Sequence, residues 1–214
     1  KFNKYNIIWK ILITVKDKLD TYEYTNNWFE TSAKSIWSQI LKQSKPNKIL
    51  EIGSYEGAST CYLIENLSLF HDSLEIHSID TWDGGVEHKE MNINMKLVEA
   101  RFRKNTSLAI KKSSKKIELI IHKAKSINAL SKLITNKKNN YFDFIYIDGS
   151  HMASDVLSDA ILSFELLKIN GIMGFDDYLW KMPNSNNLLT NPKIAIDSFT
   201  NIFALRSAIF QTPN

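Results

Sequence analysis

The stretch FDFIYIDGSH, residues 142–151, ends an apolar run with a carboxylate and an imidazole. Its apolar and aromatic part has the composition of a strand that is buried on both faces. Asp148 and His151 follow that strand where a helix is about to begin, and packing requires neither side chain. An imidazole exchanges protons near neutral pH and can act as a general base. Asp148 and His151 are therefore candidate catalytic residues.

A second group of carboxylates, Asp176 and Asp177, ends the next predicted strand in GIMGFDDY. If the two strands are neighbours, three carboxylates converge on one edge of the sheet. Like charges at close range raise one another's pKa unless a cation joins them. Oxygen ligands of this kind suit Mg²⁺ or a similar divalent ion. Asp148, Asp176 and Asp177 are therefore candidate metal ligands, and the alternative is that they only cap the helices that follow the strands.

A ligand-binding turn is predicted in LEIGSYEGAST, residues 50–60. A glycine directly after a strand lets the backbone approach a ligand, and the next helix offers free N–H groups. Only Gly53 and Gly57 are present, so the stretch lacks the G-x-G-x-x-G pattern of dinucleotide sites. Asp80 ends the following strand, where an acid can bind both ribose hydroxyls. Two alternatives stay open: Asp80 is a turn residue, and Trp82, which could stack on adenine, is a packing residue.

The elements that must position these residues alternate along the chain. Apolar runs predict strands at 48–52, 74–79, 117–121, 141–147 and 172–175. Amphipathic runs predict helices at 28–43, 58–67, 91–104, 127–134 and 153–167. This alternation predicts an α/β, Rossmann-like fold with a mostly parallel central sheet and helices on both faces. Ligands then bind beyond the carboxyl ends of the strands. Residues 204–210 predict one further strand.

The bulk properties are those of an ordinary soluble protein. The 214 residues are 43% hydrophobic and 23% charged, with a net charge of +4. The lysine-rich segment 111–116 suits a solvated loop, with nucleic-acid contact as the alternative. The single cysteine allows no internal disulfide, and it fits a cytoplasmic location. The apolar segment 7–15 is too short to span a bilayer, so no membrane contact is expected.

Two regions are expected along the chain. Residues 1–45 are predicted to form a helical extension, and residues 46–214 a Rossmann-like cofactor-binding domain. The first residue is Lys1, which leaves open that the chain is part of a larger protein. A homo-oligomer is equally open.

The motifs resemble those of class I S-adenosylmethionine-dependent methyltransferases, over nearly all of the chain from about Trp28 onward. KILEIGSYEGAST resembles the first motif of the metal-dependent O-methyltransferases, in which an aromatic residue often replaces the middle glycine. SIDTWDGG resembles the ribose-binding acid motif. FDFIYIDGSH and GIMGFDDY resemble the fourth and fifth strand motifs. The separation of Asp148 and Asp176, 176 − 148 = 28, matches that of the metal-ligand positions in those relatives.

The resemblance implies S-adenosylmethionine as cofactor and Mg²⁺ or another divalent cation held by Asp148, Asp176 and Asp177. His151 falls at the position of the catalytic base. The cofactor-binding residues that it implies are Glu51, Gly53, Ser54, Tyr55, Gly57, Ser59, Asp80, Thr81, Trp82, Ala124, Lys125, Ser126 and Asp148. Lys125 departs from the family pattern, because many relatives have an acid there, near the adenine.

The expected reaction is methyl transfer to a hydroxyl of a small molecule, with a sugar or polyol as the favoured acceptor. Segments 84–95 and 178–189 are expected to act as lids over that acceptor. Two alternatives remain. One is a metal-independent methyltransferase that acts on nitrogen or nucleic acid, and the other is a non-catalytic cofactor-binding domain of a larger protein.

Overall fold

A computed structural model describes residues 21–182 and 185–208, without the side chain of Glu87. Five strands form one sheet: β1 (Lys48–Ile52), β2 (Ser73–Asp80), β3 (Lys116–Lys123), β4 (Phe142–Ile147) and β5 (Leu167–Phe175). All the neighbouring pairs are parallel, in the order β3-β2-β1-β4-β5. The predicted α/β, Rossmann-like fold is therefore confirmed. The strand order reverses between β1 and β4, which is where a ligand crevice opens in such sheets.

Helices connect the strands and cover both faces of the sheet. They are α1 (Trp28–Thr31), α2 (Lys34–Ser44), α3 (Ala58–Leu67), α4 (Val86–Glu90), α5 (Met95–Ser113), α6 (Ser126–Thr135), α7 (Ala153–Leu166) and α8 (Pro192–Ile202). A short 3₁₀ turn, Leu188–Thr190, precedes α8. Among the described residues, no helix has the length and apolar character needed to cross a membrane.

The core consists of two layers, one on each side of the sheet. Ile49 and Phe144 lie in the layer formed with α2, α3 and α5. Leu50 and Ile145, the next residues along the same strands, lie in the layer formed with α6, α7 and α8. Strands that are buried on both faces need such near-continuous apolar runs. The central strands β1 and β4 thus contribute apolar side chains to both layers, and the site residues follow their carboxyl ends.

The part of the amino-terminal region that the structure describes packs onto this core. Trp37 of α2 is 3% exposed. Its indole ring meets the rings of Phe144 and Tyr146 edge to face, at centroid distances of 5.3 and 4.5 Å. Residues 1–20, including the apolar segment 7–15, lie outside the described residues.

Several element boundaries differ from the sequence expectation. The helix predicted over 28–43 is two helices, α1 and α2, with a turn at Ser32 and Ala33. The helix predicted over 91–104 begins at Met95, where the Asn94 side chain accepts hydrogen bonds from two backbone N–H groups, and continues to Ser113. Strand β5 begins at Leu167, where a helix end was expected.

The further strand predicted over 204–210 is wrong for the residues that are described. Residues 203–206 form a turn after α8, and 209–210 lie outside the described part. The reason is aromatic packing, because the Phe203 ring lies 4.7 Å from that of Phe164 on α7 and 4.8 Å from that of Phe199 on α8. The apolar residues close a helix–helix contact instead of pairing with the sheet. Helix α8 itself was not predicted.

Candidate active site

Backbone hydrogen bonds carry the sheet one residue past the ends of its strands. The Gly53 N–H donates to Ile79 at 2.9 Å, and the Asp148 N–H donates to Ile52 at 2.8 Å. The Asp176 N–H donates to Ile147 at 3.0 Å. Residues from three strand ends are thereby fixed side by side at the strand-order switch.

Gly53 is where the loop after β1 touches the end of β4. Its φ is +86°, and a Cβ added there would lie 1.9 Å from the backbone oxygen of Asp148. Only a residue without a side chain can occupy this position. The predicted cofactor loop and the predicted catalytic strand end are therefore in direct backbone contact.

Glu51 of β1 is fully buried and stabilises the loop after β1 through hydrogen bonds. Its carboxylate accepts hydrogen bonds from the hydroxyls of Ser54, Ser59, Thr60 and Ser78 at 2.5–3.2 Å. Burial raises the pKa of Glu51, and the hydroxyl donors act in the opposite direction. Four donors satisfy a carboxylate that has lost its water. The structure thus assigns Glu51 and its hydroxyl partners a role in fixing the loop.

Asp80 of β2 also stabilises the loop. Its Oδ2 accepts the backbone N–H groups of Ser54 and Tyr55, both at 2.9 Å, and its Oδ1 accepts that of Trp82 at 2.7 Å. Tyr55 needs this support because its φ is +44°, in the left-handed region. A carboxylate offers about four acceptor positions, so a ribose hydroxyl could still approach Asp80. The turn role that the sequence left open for Asp80 is therefore real.

Trp82 packs inside the protein. It is 4% exposed, its ring lies 4.9 Å from that of Phe102, and its Nε1 donates to the Tyr55 carbonyl at 2.9 Å. This arrangement supports packing over adenine stacking for Trp82. Thr81 lies beside it, and its hydroxyl accepts the N–H of Asp83 at 3.1 Å.

The three candidate metal ligands come together at the ends of β4 and β5. Burial, together with the nearby charges of Asp176 and Asp177, holds the pKa of Asp148 well above its ordinary value. The Tyr146 hydroxyl donates to Asp176 Oδ2 at 2.5 Å, and the N–H of Asp177 donates to Asp176 Oδ1 at 2.9 Å. The cluster is therefore acidic and crowded, and two of its oxygens already accept protein donors.

His151 joins this cluster from the start of α7. Its Nε2 lies 2.9 Å from Asp177 Oδ2, and its ring stacks on Trp180 with a centroid distance of 3.8 Å and an interplanar angle of 24°. A carboxylate in this position orients an imidazole and stabilises its protonated form. The arrangement can accept a proton from a group bound at the carboxyl edge of the sheet.

The carboxylates can be tested against the divalent cation that the sequence suggests. Burial and then repulsion by Asp176 and Asp177 raise the pKa of Asp148, and a cation would relieve the repulsion. An all-oxygen donor set suits Mg²⁺. In the part of the chain that the structure describes, however, no three His, Cys, Asp or Glu side chains are arranged as a metal site. The charge and the oxygen donors of these residues suit a hard cation. In the structure, Asp176 and Asp177 form hydrogen bonds with protein groups.

The predicted adenine-side residues form the connection from β3 to α6. The Ala124 N–H donates to the carbonyl of Asp80 at 3.2 Å, which ties this connection to the end of β2. Lys125 is exposed and precedes α6 without a capping side-chain hydrogen bond. Ser126 is half-buried at the first position of the helix.

Four residues that contribute to the site were not predicted from the sequence: Thr60, Ser78, Tyr146 and Trp180. Thr60 and Ser78 could have been found in the sequence only as hydroxyl residues at positions expected to be buried near the acid Glu51. Tyr146 belongs to an apolar strand, so only its hydrogen bond to Asp176 distinguishes it from a core residue. The contact of Trp180 with His151 depends on the path of the chain after β5.

Fold and site together define an α/β protein with a glycine loop, an acidic cluster and a histidine at the carboxyl edge of its sheet. Comparison with known proteins specifies the class. The family model described as "Methyltransferase domain" matches residues 50–178. The chain belongs to this family, the class I S-adenosylmethionine-dependent methyltransferases.

Individual relatives have O-methyltransferase names. The chain is 30% identical over 169 residues to "Probable caffeoyl-CoA O-methyltransferase 3" of Dictyostelium discoideum, over 75% of this chain and 59% of that protein. The chain thus spans less than two thirds of that relative. The O-methyltransferase of Bacillus cereus, solved with SAH, is 15% identical with a TM-score of 0.53, over 95% of this chain and 80% of the other. That likeness shows a shared fold.

Proposed function

We propose that this protein transfers the methyl group of S-adenosylmethionine to a hydroxyl of a small molecule, with His151 as general base. The observation that carries the proposal is the meeting of the Gly53 loop with the cluster of Asp148, Asp176, Asp177 and His151. A cofactor at the loop and an acceptor at the cluster would be neighbours.

The reaction is a direct displacement. The acceptor oxygen attacks the methyl carbon, the carbon–sulfur bond breaks, and S-adenosylhomocysteine leaves with the electron pair of that bond. The proton of the hydroxyl passes to His151, and Asp177 stabilises the imidazolium that forms. Aligning oxygen, carbon and sulfur removes much of the entropic barrier, which is why a rigid sheet edge matters.

Asp148, Asp176 and Asp177 are the side chains that would hold Mg²⁺ or another divalent cation. Such a cation, when bound, lowers the pKa of an acceptor hydroxyl and can orient an adjacent hydroxyl. The closeness of Asp176 and Asp177 to Asp148, which adds to burial in raising the pKa of Asp148, supports this assignment.

A sugar or polyol is the first acceptor class that we propose, because the Asp148–His151 arrangement resembles that of sugar O-methyltransferases. The relative from Dictyostelium favours a second class, a phenolic hydroxyl of the caffeoyl type. Both classes offer adjacent hydroxyls, so one set of site residues can serve either.

The test is a methyl-transfer assay with S-adenosylmethionine and a panel of sugar nucleotides, polyols and catechols, read by mass spectrometry with and without a chelator. Methyl ether formation that falls at least about a hundredfold in the His151→Ala variant supports the proposal. Asp176→Asn removes a carboxylate from the site. Its matched control is Asp72→Asn, which removes a carboxylate at an exposed position. Undiminished turnover in both His151→Ala and Asp148→Asn would refute the assigned roles.

A further inference from the structure

A short segment ahead of α1 is held by polar side chains that are buried in the body of the protein. This segment, residues 22–25, forms neither helix nor strand, and we call it the strap. Its residues from 23 to 25 are exposed. The side chains that hold it belong to Asn105 of α5, which is fully buried, and to Glu56 of the loop after β1, which is 2% exposed. The strap therefore docks on a polar site inside the fold.

Asn105 pairs with the strap backbone at Glu23. Its Oδ1 accepts the Glu23 N–H at 2.8 Å, and its Nδ2 donates to the Glu23 carbonyl at 2.9 Å. These are the two hydrogen bonds that a residue of a neighbouring strand would form. The same amide nitrogen also donates to the carbonyl of Glu56 at 2.9 Å. One side chain thus ties the strap and the loop together.

Glu56 holds the strap at Thr25. Its carboxylate accepts the Thr25 N–H at 2.7 Å and the Thr25 hydroxyl at 2.8 Å. The Arg101 guanidinium of α5 donates to the same carboxylate. A buried acid needs such partners, because it has lost its water. Two of the three donors that the structure describes come from one strap residue, so the environment of Glu56 is complete only when the strap is in place.

Glu56 lies in the part of the loop whose backbone is unusual. Tyr55 before it has a φ of +44°, and Gly57 after it has a φ of +80°. Left-handed backbone is unfavourable for a residue with a side chain, as at Tyr55, so contacts from outside the loop must stabilise it. Asp80 supplies such contacts from the sheet to Ser54 and Tyr55. The strap supplies them to the next residue, Glu56, from the opposite end of the chain segment.

We propose that the strap preorganises the loop for the cofactor, and that Glu56 and Asn105 are the positioning residues through which it acts. The inference rests on the proposed use of S-adenosylmethionine, because the loop is where we place that cofactor. A protein binds its ligand more weakly in proportion to the fraction of molecules whose site is correctly shaped. A closed strap therefore strengthens cofactor binding, and by linkage the cofactor favours the closed strap to the same extent.

Calorimetric titration with S-adenosylhomocysteine tests this with a graded series at the exposed Thr25. Thr25→Ser keeps both donors to Glu56 and should bind within about twofold of the unmodified protein. Thr25→Pro removes both donors, and the lost hydrogen bonds to a charged group should lower the affinity at least about tenfold. Thr25→Val keeps only the N–H and should lie between them. Thr135→Val is the matched control, since it removes an exposed hydroxyl that bonds only within α6, to the Lys132 carbonyl, and should change nothing.

Proteolysis measures the strap itself. Glutamyl endopeptidase can cut after Glu23 once the strap leaves Asn105, whereas a cut after Glu165, an exposed residue of α7, requires the body of the protein to unfold. Without ligand, Thr25→Val should raise the rate of cleavage after Glu23 at least about tenfold and leave cleavage after Glu165 unchanged. Saturating S-adenosylhomocysteine should slow cleavage after Glu23 at least about tenfold in the unmodified protein.

Four outcomes would overturn the inference. Equal affinity of Thr25→Pro and the unmodified protein would do so with the proposed function intact. A loss of affinity in Thr25→Pro with faster cleavage after Glu165 would do so as well, because that combination shows unfolding of the whole protein. Cleavage after Glu23 at one rate with and without bound S-adenosylhomocysteine would break the required linkage. Failure of the unmodified protein to bind S-adenosylhomocysteine would overturn the proposed function and this inference together.

Discussion

Replacing Asp80 with Asn tests whether this residue stabilises the proposed cofactor-binding loop even without a ligand. In the structure its carboxylate accepts three backbone N–H groups, from Ser54, Tyr55 and Trp82. An asparagine keeps one oxygen, so its amide nitrogen faces at least one of these N–H donors. The loop therefore loses at least one charge-assisted hydrogen bond.

The magnitude follows from that loss. A hydrogen bond to a charged group contributes about 1.5–3 kcal/mol, so the free energy of unfolding of the ligand-free protein should fall by about that amount. Since about 1.4 kcal/mol corresponds to a factor of ten, the affinity for S-adenosylmethionine should fall about tenfold to a hundredfold. The loop that we propose for cofactor binding would no longer be preformed.

Urea unfolding of the ligand-free protein and calorimetric titration with S-adenosylmethionine measure the two effects. Asp83→Asn is the control, because Asp83 is a neighbouring but exposed acid, and its change should stay within about 0.5 kcal/mol. If Asp80→Asn lowers cofactor affinity while the unfolding free energy stays at the unmodified value, Asp80 serves the ribose alone and the loop argument is refuted.

Three further changes have defined outcomes. Gly53→Ala should abolish cofactor binding and lower the melting temperature, because the new Cβ would lie 1.9 Å from the Asp148 oxygen; normal binding would contradict the loop geometry. His151→Ala should lower the single-turnover rate about 10²- to 10⁴-fold while cofactor affinity changes less than about threefold, and an equal loss of both would point to folding. Asp159→Asn should raise the free energy of unfolding at pH 7 by at most about 3 kcal/mol and change it little at pH 4. The native Asp159 carboxyl has a pKa of about 6 and therefore binds its proton more tightly than the carboxyl of the unfolded chain. The unmodified protein thus loses stability as the pH rises from about 4 to 6, and the asparagine variant does not. Urea unfolding at both pH values measures this difference.

The strands and the residues at their ends could be predicted because both depend on local signals. An apolar run followed by Gly53, Asp80, Asp148 or Asp176 indicates a strand and its end. The rule that parallel strands end at one edge then brings those residues together. The structure adds the contact of Gly53 with Asp148, which no spacing predicts because it depends on strand order.

The remaining features depend on packing between distant segments. Helix α8 and the turn at 203–206 are held by Phe203 against Phe164, 39 residues apart in the chain (203 − 164 = 39), so local composition suggested a strand instead. Asp159 looks like any polar residue of an amphipathic helix until α7 packs on α6 and buries it. The fold could thus be predicted from the sequence, whereas the environment of individual polar side chains could not.

The most direct test of the central claim is calorimetric titration of the purified protein with S-adenosylmethionine, after chelation and again with added Mg²⁺. We predict one binding site per chain for the cofactor under both conditions, with a separate Mg²⁺ signal that Asp176→Ala removes. The absence of cofactor binding under both conditions would contradict the account.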